Sequence, residues 1–249
     1  MAYRLRVVVH GGKASPTIRQ IGVSTARPGL VPEATSEPSL SEHVELNVPA
    51  YSQSIHRKEY PDFGGGGAVW CSAASTAMLL SYWGCGADCG RRRDTSARPG
   101  VRPERTGRRA GGVRRDPHLG PRLRRLRQLA VNTAYASEYG VDGSIRQYAS
   151  LRDVESWVAR GVPVIVSTAW DNAAEDSGRH LDGSSIEETS GHIMVVAGFT
   201  EGGDVIANDP ASPSNDQVHH VYRRDQFERN WLRSSNGTTY LIKVPSIAG

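Results

Sequence analysis

The sequence predicts an α+β fold, in which a leading helix that carries a reactive residue packs on an antiparallel sheet. Three observations support it. The glycine run at residues 64–67 feeds a small-residue stretch at 72–83, where Ala74, Ala77, Met78, Ser81 and Tyr82 recur at spacings of three and four. That is the pattern of a helix with one buried face. Later, an apolar run from His192 to Phe199 turns through Glu201-Gly202-Gly203-Asp204 and returns as Val205-Ile206-Ala207-Asn208-Asp209, which reads as a β-hairpin. Short strand-like segments at 218–223 and 239–244 follow it, on either side of one short helix at 225–232 with Phe227 and Trp231 buried. A helix first and antiparallel strands afterwards is an α+β layout, since parallel α/β sheets alternate their elements.

The other elements follow in chain order. Alternation in Tyr3-Arg4-Leu5-Arg6-Val7-Val8-Val9, the Gly11-Gly12 pair and renewed alternation at 16–23 predict a β-hairpin within residues 1–27. Residues 28–44, rich in Pro, Ser and Glu, read as a linker, and residues 45–245 as the main domain. Ser150 is placed to cap a helix whose apolar face is Leu151, Val154, Trp157 and Val158, and Gly161 ends it. Residues 162–168 form a buried strand with Pro163 near its start. The polar stretch 171–189 reads as a solvated lid; its Asp176, His180, Asp182, Glu187 and Glu188 are too irregularly spaced for a metal site.

The chemistry centres on Cys71. A thiol on the first turn of a helix faces the positive end of the helix dipole, which favours the thiolate, the nucleophilic form. Free cysteines are more often buried small hydrophobes, so the distant partners decide the reading. His192 opens one strand of the hairpin and Asp209 closes the other, which brings an imidazole and a carboxylate to the same end. Such a carboxylate orients the base and stabilises its imidazolium. Asn208 points to the opposite face of a regular strand and cannot share that task.

Gln53, Trp70-Cys71-Ser72, Gly191-His192 and Asn208-Asp209-Pro210, in this order, resemble the papain-like cysteine peptidases. More narrowly, Tyr51-Ser52-Gln53, Glu59-Tyr60-Pro61, Tyr82-Trp83-Gly84 and the run from Asp204 to Asn215 look like cysteine-peptidase family thirty-nine, which includes the bacteriocin-leader peptidases, and its secreted actinobacterial relatives. The resemblance covers roughly residues 45 to 245 with one gap. It implies a papain-like fold with Cys71 as nucleophile, His192 as base, Asp209 as its orienting group and Gln53 in an oxyanion hole with the Cys71 N–H. Trp70 and Gly191, flanking the reactive pair, are the binding candidates. Further implications are a peptide or protein substrate, no metal, no organic cofactor and a secreted location. The hairpin at 1–27 would be the remnant of a β-sandwich that precedes the catalytic domain in those relatives, and the chain would begin inside it.

The gap is compositionally foreign. Residues 91–127 hold fourteen of the twenty-seven arginines and three acids, a local charge of +11 in a chain of net +4. From 86 to 131 there is no Ile, Phe, Tyr, Trp, Met, Asn or Lys, so the segment cannot build a core and reads as disordered. An arginine arm for nucleic acid would need interleaved aromatics to stack bases, and there are none. Forty-odd structureless residues inside one domain are also out of character. The hypothesis that accounts for the composition is a shifted reading frame. With free choice of degenerate bases and one compensating base change near Val131, residues 121–131 read in the shifted frame as H-D-Y-D-G-Y-G-N-W-P-F, a run similar to the resembled family at this place. Resequencing the locus tests it, and clean reads of the arginine frame would refute it.

No stretch approaches the eighteen apolar residues of a membrane span, and residues 1–12 hold only Val7-Val8-Val9 as an apolar core, so they are no signal peptide. Three cysteines cannot all pair, and Cys85 with Cys89 lacks a second pair for zinc. The expected activity is hydrolysis of peptide or amide bonds through an acyl-enzyme. A thiol acyltransferase and a catalytically silent peptide-binding module are the alternatives.

Overall fold

The computed structural model describes residues 35–59, 66–85, 132–175 and 177–247. The hairpin expected within 1–27 and the arginine-rich 86–131 segment, apart from Cys85 before it, lie outside the described residues. The elements are β1 (Val44–Glu45), α1 (Cys71–Tyr82), β2 (Asp142–Gln147), α2 (Leu151–Val158), β3 (Val164–Asp171), β4 (Glu188–Phe199), β5 (Val205–Asn208), β6 (His219–Tyr222), α3 (Arg224–Ser235) and β7 (Thr238–Lys243). The strands form one antiparallel sheet in the order β2-β7-β3-β4-β5-β6. No helix among the described residues is long and apolar enough to cross a membrane.

The two central strands are apolar on both sides, and alternation divides their side chains between two cores. Val164, Val166, Met194 and Val196 pack with α2 and α3 residues such as Leu151, Val154, Phe227 and Trp231. Ile165, Ile193, Val195 and Ala197 pack with Met78, Leu79 and Leu80 of α1. The sheet is therefore covered on both faces. β1 pairs with the end of β4 beyond the point where β3 stops, and Gly198 makes this possible, because a Cβ there would lie 2.3 Å from the Val44 carbonyl oxygen.

The buried face of α1 differs from the sequence expectation. Ser75, Thr76, Met78, Leu79 and Leu80 are buried, while Ala77 is exposed. The large apolar side chains decide the helix's rotation, because each buries far more area than an alanine or serine. By contrast α2 matches its reading: Ser150 Oγ accepts the Arg152 N–H at 3.1 Å, and Leu151, Val154, Trp157 and Val158 are buried.

The stretch read as a linker is, where described, fastened to the domain. Arg224 reaches Glu155 Oε1 (2.6 Å), the Ser36 carbonyl (2.6 Å), Ser36 Oγ (2.9 Å) and the Gly203 carbonyl (3.1 Å). Glu228 accepts from the Ser36 N–H (2.6 Å), Ser36 Oγ (2.7 Å) and the Leu151 N–H (2.7 Å). Glu155 accepts from both the N–H and the hydroxyl of Ser39. Three charged side chains that composition alone assigns to the surface are thus buried, and the strap at 36–39 supplies donors that make burial tolerable.

Parts of the stretch at 172–175 and 177–187 are likewise docked. Leu181 is fully buried, Asn172 bonds the Leu181 N–H (2.8 Å) and carbonyl (3.0 Å), and Gln226 pairs with the backbone and side chain of Asp182 (both 2.8 Å). Much of the stretch is solvent-exposed, as expected of a solvated loop, while side-chain amides satisfy parts of its backbone and seat Leu181 beside α3.

Candidate active site

Cys71 is the first residue of α1, after the uncapped N-cap Trp70, so its side chain stands at the positive end of a twelve-residue helix. Gly67, at the end of the glycine run in front, has a steric cause. A Cβ on Gly67 would lie 2.3 Å from the His56 carbonyl carbon and 2.6 Å from the Gln53 oxygen. Only glycine lets the turn at Gly66–Val69 sit directly on the turn at Ser54–His56. That contact brings Gln53 Nε2 within 3.2 Å of the Ala68 carbonyl and places Gln53 beside Cys71.

His192 lies inside β4, four residues after its start, and Asp209 directly follows β5. The expected hairpin forms, and Val195 opposes Asn208 across it. His192 Nε2 is 2.6 Å from Asp209 Oδ1, with both side chains buried. A carboxylate only accepts, so Nε2 carries the hydrogen and Nδ1 is the nitrogen left for the sulfur. The Trp170 ring stands edge-on to the imidazole at 5.4 Å. Asn208 turns away, as strand alternation requires, and donates to the Val48 carbonyl at 3.1 Å.

The electrostatics of the three groups are mutually consistent. Burial alone pushes the Cys71 thiol up, but a hydrogen bond and charge from His192, with backbone groups of Ile193 and Ser72, bring it below its ordinary value. Burial alone pushes His192 down, yet the Asp209 charge and hydrogen bond, reinforced by Cys71, raise it to about 10. Burial works against Asp209 too; His192, the Ala211 N–H and the Tyr222 hydroxyl hold its carboxyl below the usual range. All three shifts run in the direction of a thiolate beside an imidazolium, backed by a carboxylate.

These groups open onto a cleft of about 250 Å³ lined by Gln53, Arg57, Val69, Cys71, Ile186 and His192, among others. Gly191 also lines it, whereas Trp70 does not. The Trp70 ring instead lies 6.2 Å from that of His56. Gln53 is buried, and its Oε1 is sealed without a partner, while Nε2 gives one N–H to Ala68 and has a second. No group of three or more His, Cys, Asp or Glu that could hold a metal occurs among the described residues. The adjacent histidines of β6 have other partners: His219 meets Glu45 at 3.0 Å, and His220 meets Ser212 Oγ at 2.8 Å and Ser185 Oγ at 3.1 Å.

Tyr222 and Arg57 escaped the sequence reading. The Tyr222 hydroxyl donates to Asp209 Oδ2 at 3.0 Å from β6. Its only signal was a tyrosine in a strand next to the hairpin, which does not specify a partner.

A model of the Peptidase_C39-like family matches residues 45–239. Among solved structures, a "putative C39-like peptidase" from Bacillus anthracis is similar at 20% identity and a TM-score of 0.45, over 81% of this chain and 98% of that one. No curated protein matches. The helix-on-antiparallel-sheet architecture is the papain-like α+β fold, and the chain belongs to the Peptidase_C39-like family.

Proposed function

We propose that this protein is a cysteine peptidase or amidase acting through a Cys71-His192-Asp209 triad. The Cys71 thiolate attacks the substrate carbonyl carbon, and the oxyanion is received by the Cys71 N–H and the free N–H of Gln53 Nε2. The imidazolium passes its Nδ1 proton to the departing amine as the C–N bond breaks, leaving a thioester. Water then attacks, His192 takes its proton, and cleavage of the C–S bond releases the acid and restores the thiolate. Asp209 keeps the hydrogen on Nε2, so that Nδ1 is always the nitrogen in play.

The observation that carries this reading is the imidazole held between a carboxylate at 2.6 Å and the thiol, with Cys71 shifted down and His192 shifted up. The test is alkylation of Cys71 by iodoacetamide as a function of pH. The wild type should react well below about pH 8, and His192→Ala should lose that advantage. Turnover of a peptide amide should fall by about 10²–10⁴-fold in the same variant. An ordinary thiol profile in the wild type would overturn the reading in favour of a silent peptide-binding module.

A further inference from the structure

We infer that Tyr222 is a positioning residue of this site: its hydroxyl fixes the Asp209 carboxylate in the rotation that presents Oδ1 to His192. The inference rests on the triad reading above.

Asp209 has no exposed surface, so protein groups must satisfy its oxygens. Oδ1 takes two donors, His192 Nε2–H at 2.6 Å and the Ala211 N–H at 2.8 Å. Oδ2 has the Tyr222 hydroxyl at 3.0 Å. Without it, the carboxylate would hold a buried, unpaired oxygen and would gain by rotating or by taking up a proton. Either change removes the counter-charge from the imidazolium.

The tyrosine is built to hold still. It is fully buried, pairs across the sheet with Val205, and stacks between His220 (ring centroids 5.4 Å, 5° between planes) and Phe227 (5.9 Å, 28°). Burial, and after it the charge of Asp209, pushes the phenol far above its ordinary value, so the hydroxyl remains a donor at any working pH. The titratable groups facing Asp209 are His192 from β4 and Tyr222 from β6; Cys71 lies beyond the imidazole, and His220 stacks on the phenol ring.

Tyr222→Phe removes the oxygen and leaves the ring. The ionised form of Asp209 then loses a donor, so Asp209 protonates at a higher pH. The acid edge of Cys71 alkylation should rise with it, by about one pH unit. Phe227→Leu, which disturbs the packing of the ring but keeps the hydroxyl, should leave that edge in place. A folded Tyr222→Phe protein with the wild-type acid edge would overturn the inference, as would an equal shift in Phe227→Leu. The His192 Nε2–H proton resonance reads the same contact without using the thiol. It should move in Tyr222→Phe and stay in Phe227→Leu. If wild-type Cys71 behaves as an ordinary thiol, the triad reading falls, and this resonance still decides the role of Tyr222.

Discussion

Two assemblies of buried charge stand in this domain, and they differ in one respect. Where α2 and α3 meet the 36–39 strap, Arg224, Glu155 and Glu228 are enclosed by serines and backbone groups, and their hydrogen bonds are completed inside the protein. Where α1 meets β4 and β5, Asp209 and His192 are equally buried, but the series ends at Cys71, which is only partly covered and lines the cleft. The same low-dielectric pairing thus gives a fixed joint in one place and, on the function proposed above, an activated nucleophile in the other. The difference lies in whether the last charge is closed off or left open to a substrate.

That contrast can be broken most forcefully at the joint. Glu155→Ala would leave Arg224 buried without its ion pair and should cost about 3–5 kcal/mol, measured by urea unfolding. Below the unfolding midpoint, the pH profile of Cys71 alkylation should be unchanged. If alkylation changes as much as stability, the two assemblies are not separate.

Asp209→Asn sharpens the comparison from the other side, through the pH dependence of its stability difference from wild type. The raised His192 contributes stability fully below its unfolded value near 6.5 and loses it as pH rises towards about 10. The depressed Asp209 contributes above its unfolded value of about 4 and loses it as pH falls through the lower folded value. The stability difference should therefore be largest between about pH 4 and 6.5 and shrink on both sides. Thermal unfolding at several pH values checks this, and a flat difference would contradict the pairing.

The smallest effect is expected at the strap. Ser39→Ala removes one hydroxyl donor to Glu155 but leaves the backbone N–H in place at 2.9 Å. The loss should be about 1 kcal/mol in the same urea assay.

The parts of this structure legible in the sequence are those with a strong local signal. The Ser150 cap, the turn at Thr200–Asp204 and the apolar β4–β5 hairpin state themselves in a few consecutive residues, and the turn brings Asp209 to His192. β1 and β2 were missed because neither reads as a strand. β1 is two residues long, and β2, Asp-Gly-Ser-Ile-Arg-Gln, has one apolar residue and is held by its register with β7. Glu155, Arg224 and Glu228 were illegible for another reason: a charged residue shows its burial only through partners, and theirs lie far along the chain. Trp70 illustrates the opposite error, since adjacency to Cys71 does not put a side chain in the cleft once a helix starts between them.

Three consecutive residues at the end of β5, Asn208, Asp209 and Pro210, each fasten a different part of the site. Asn208 secures the incoming chain at Val48, the following Pro210 carbonyl takes the Gln53 N–H at 2.8 Å, and Asp209 between them secures the imidazole. The spacing between Gln53, the proposed oxyanion donor, and His192, the proposed base, is therefore measured from this one short segment. A one-residue insertion there would exchange the roles of its two sides and take both branches out of register together.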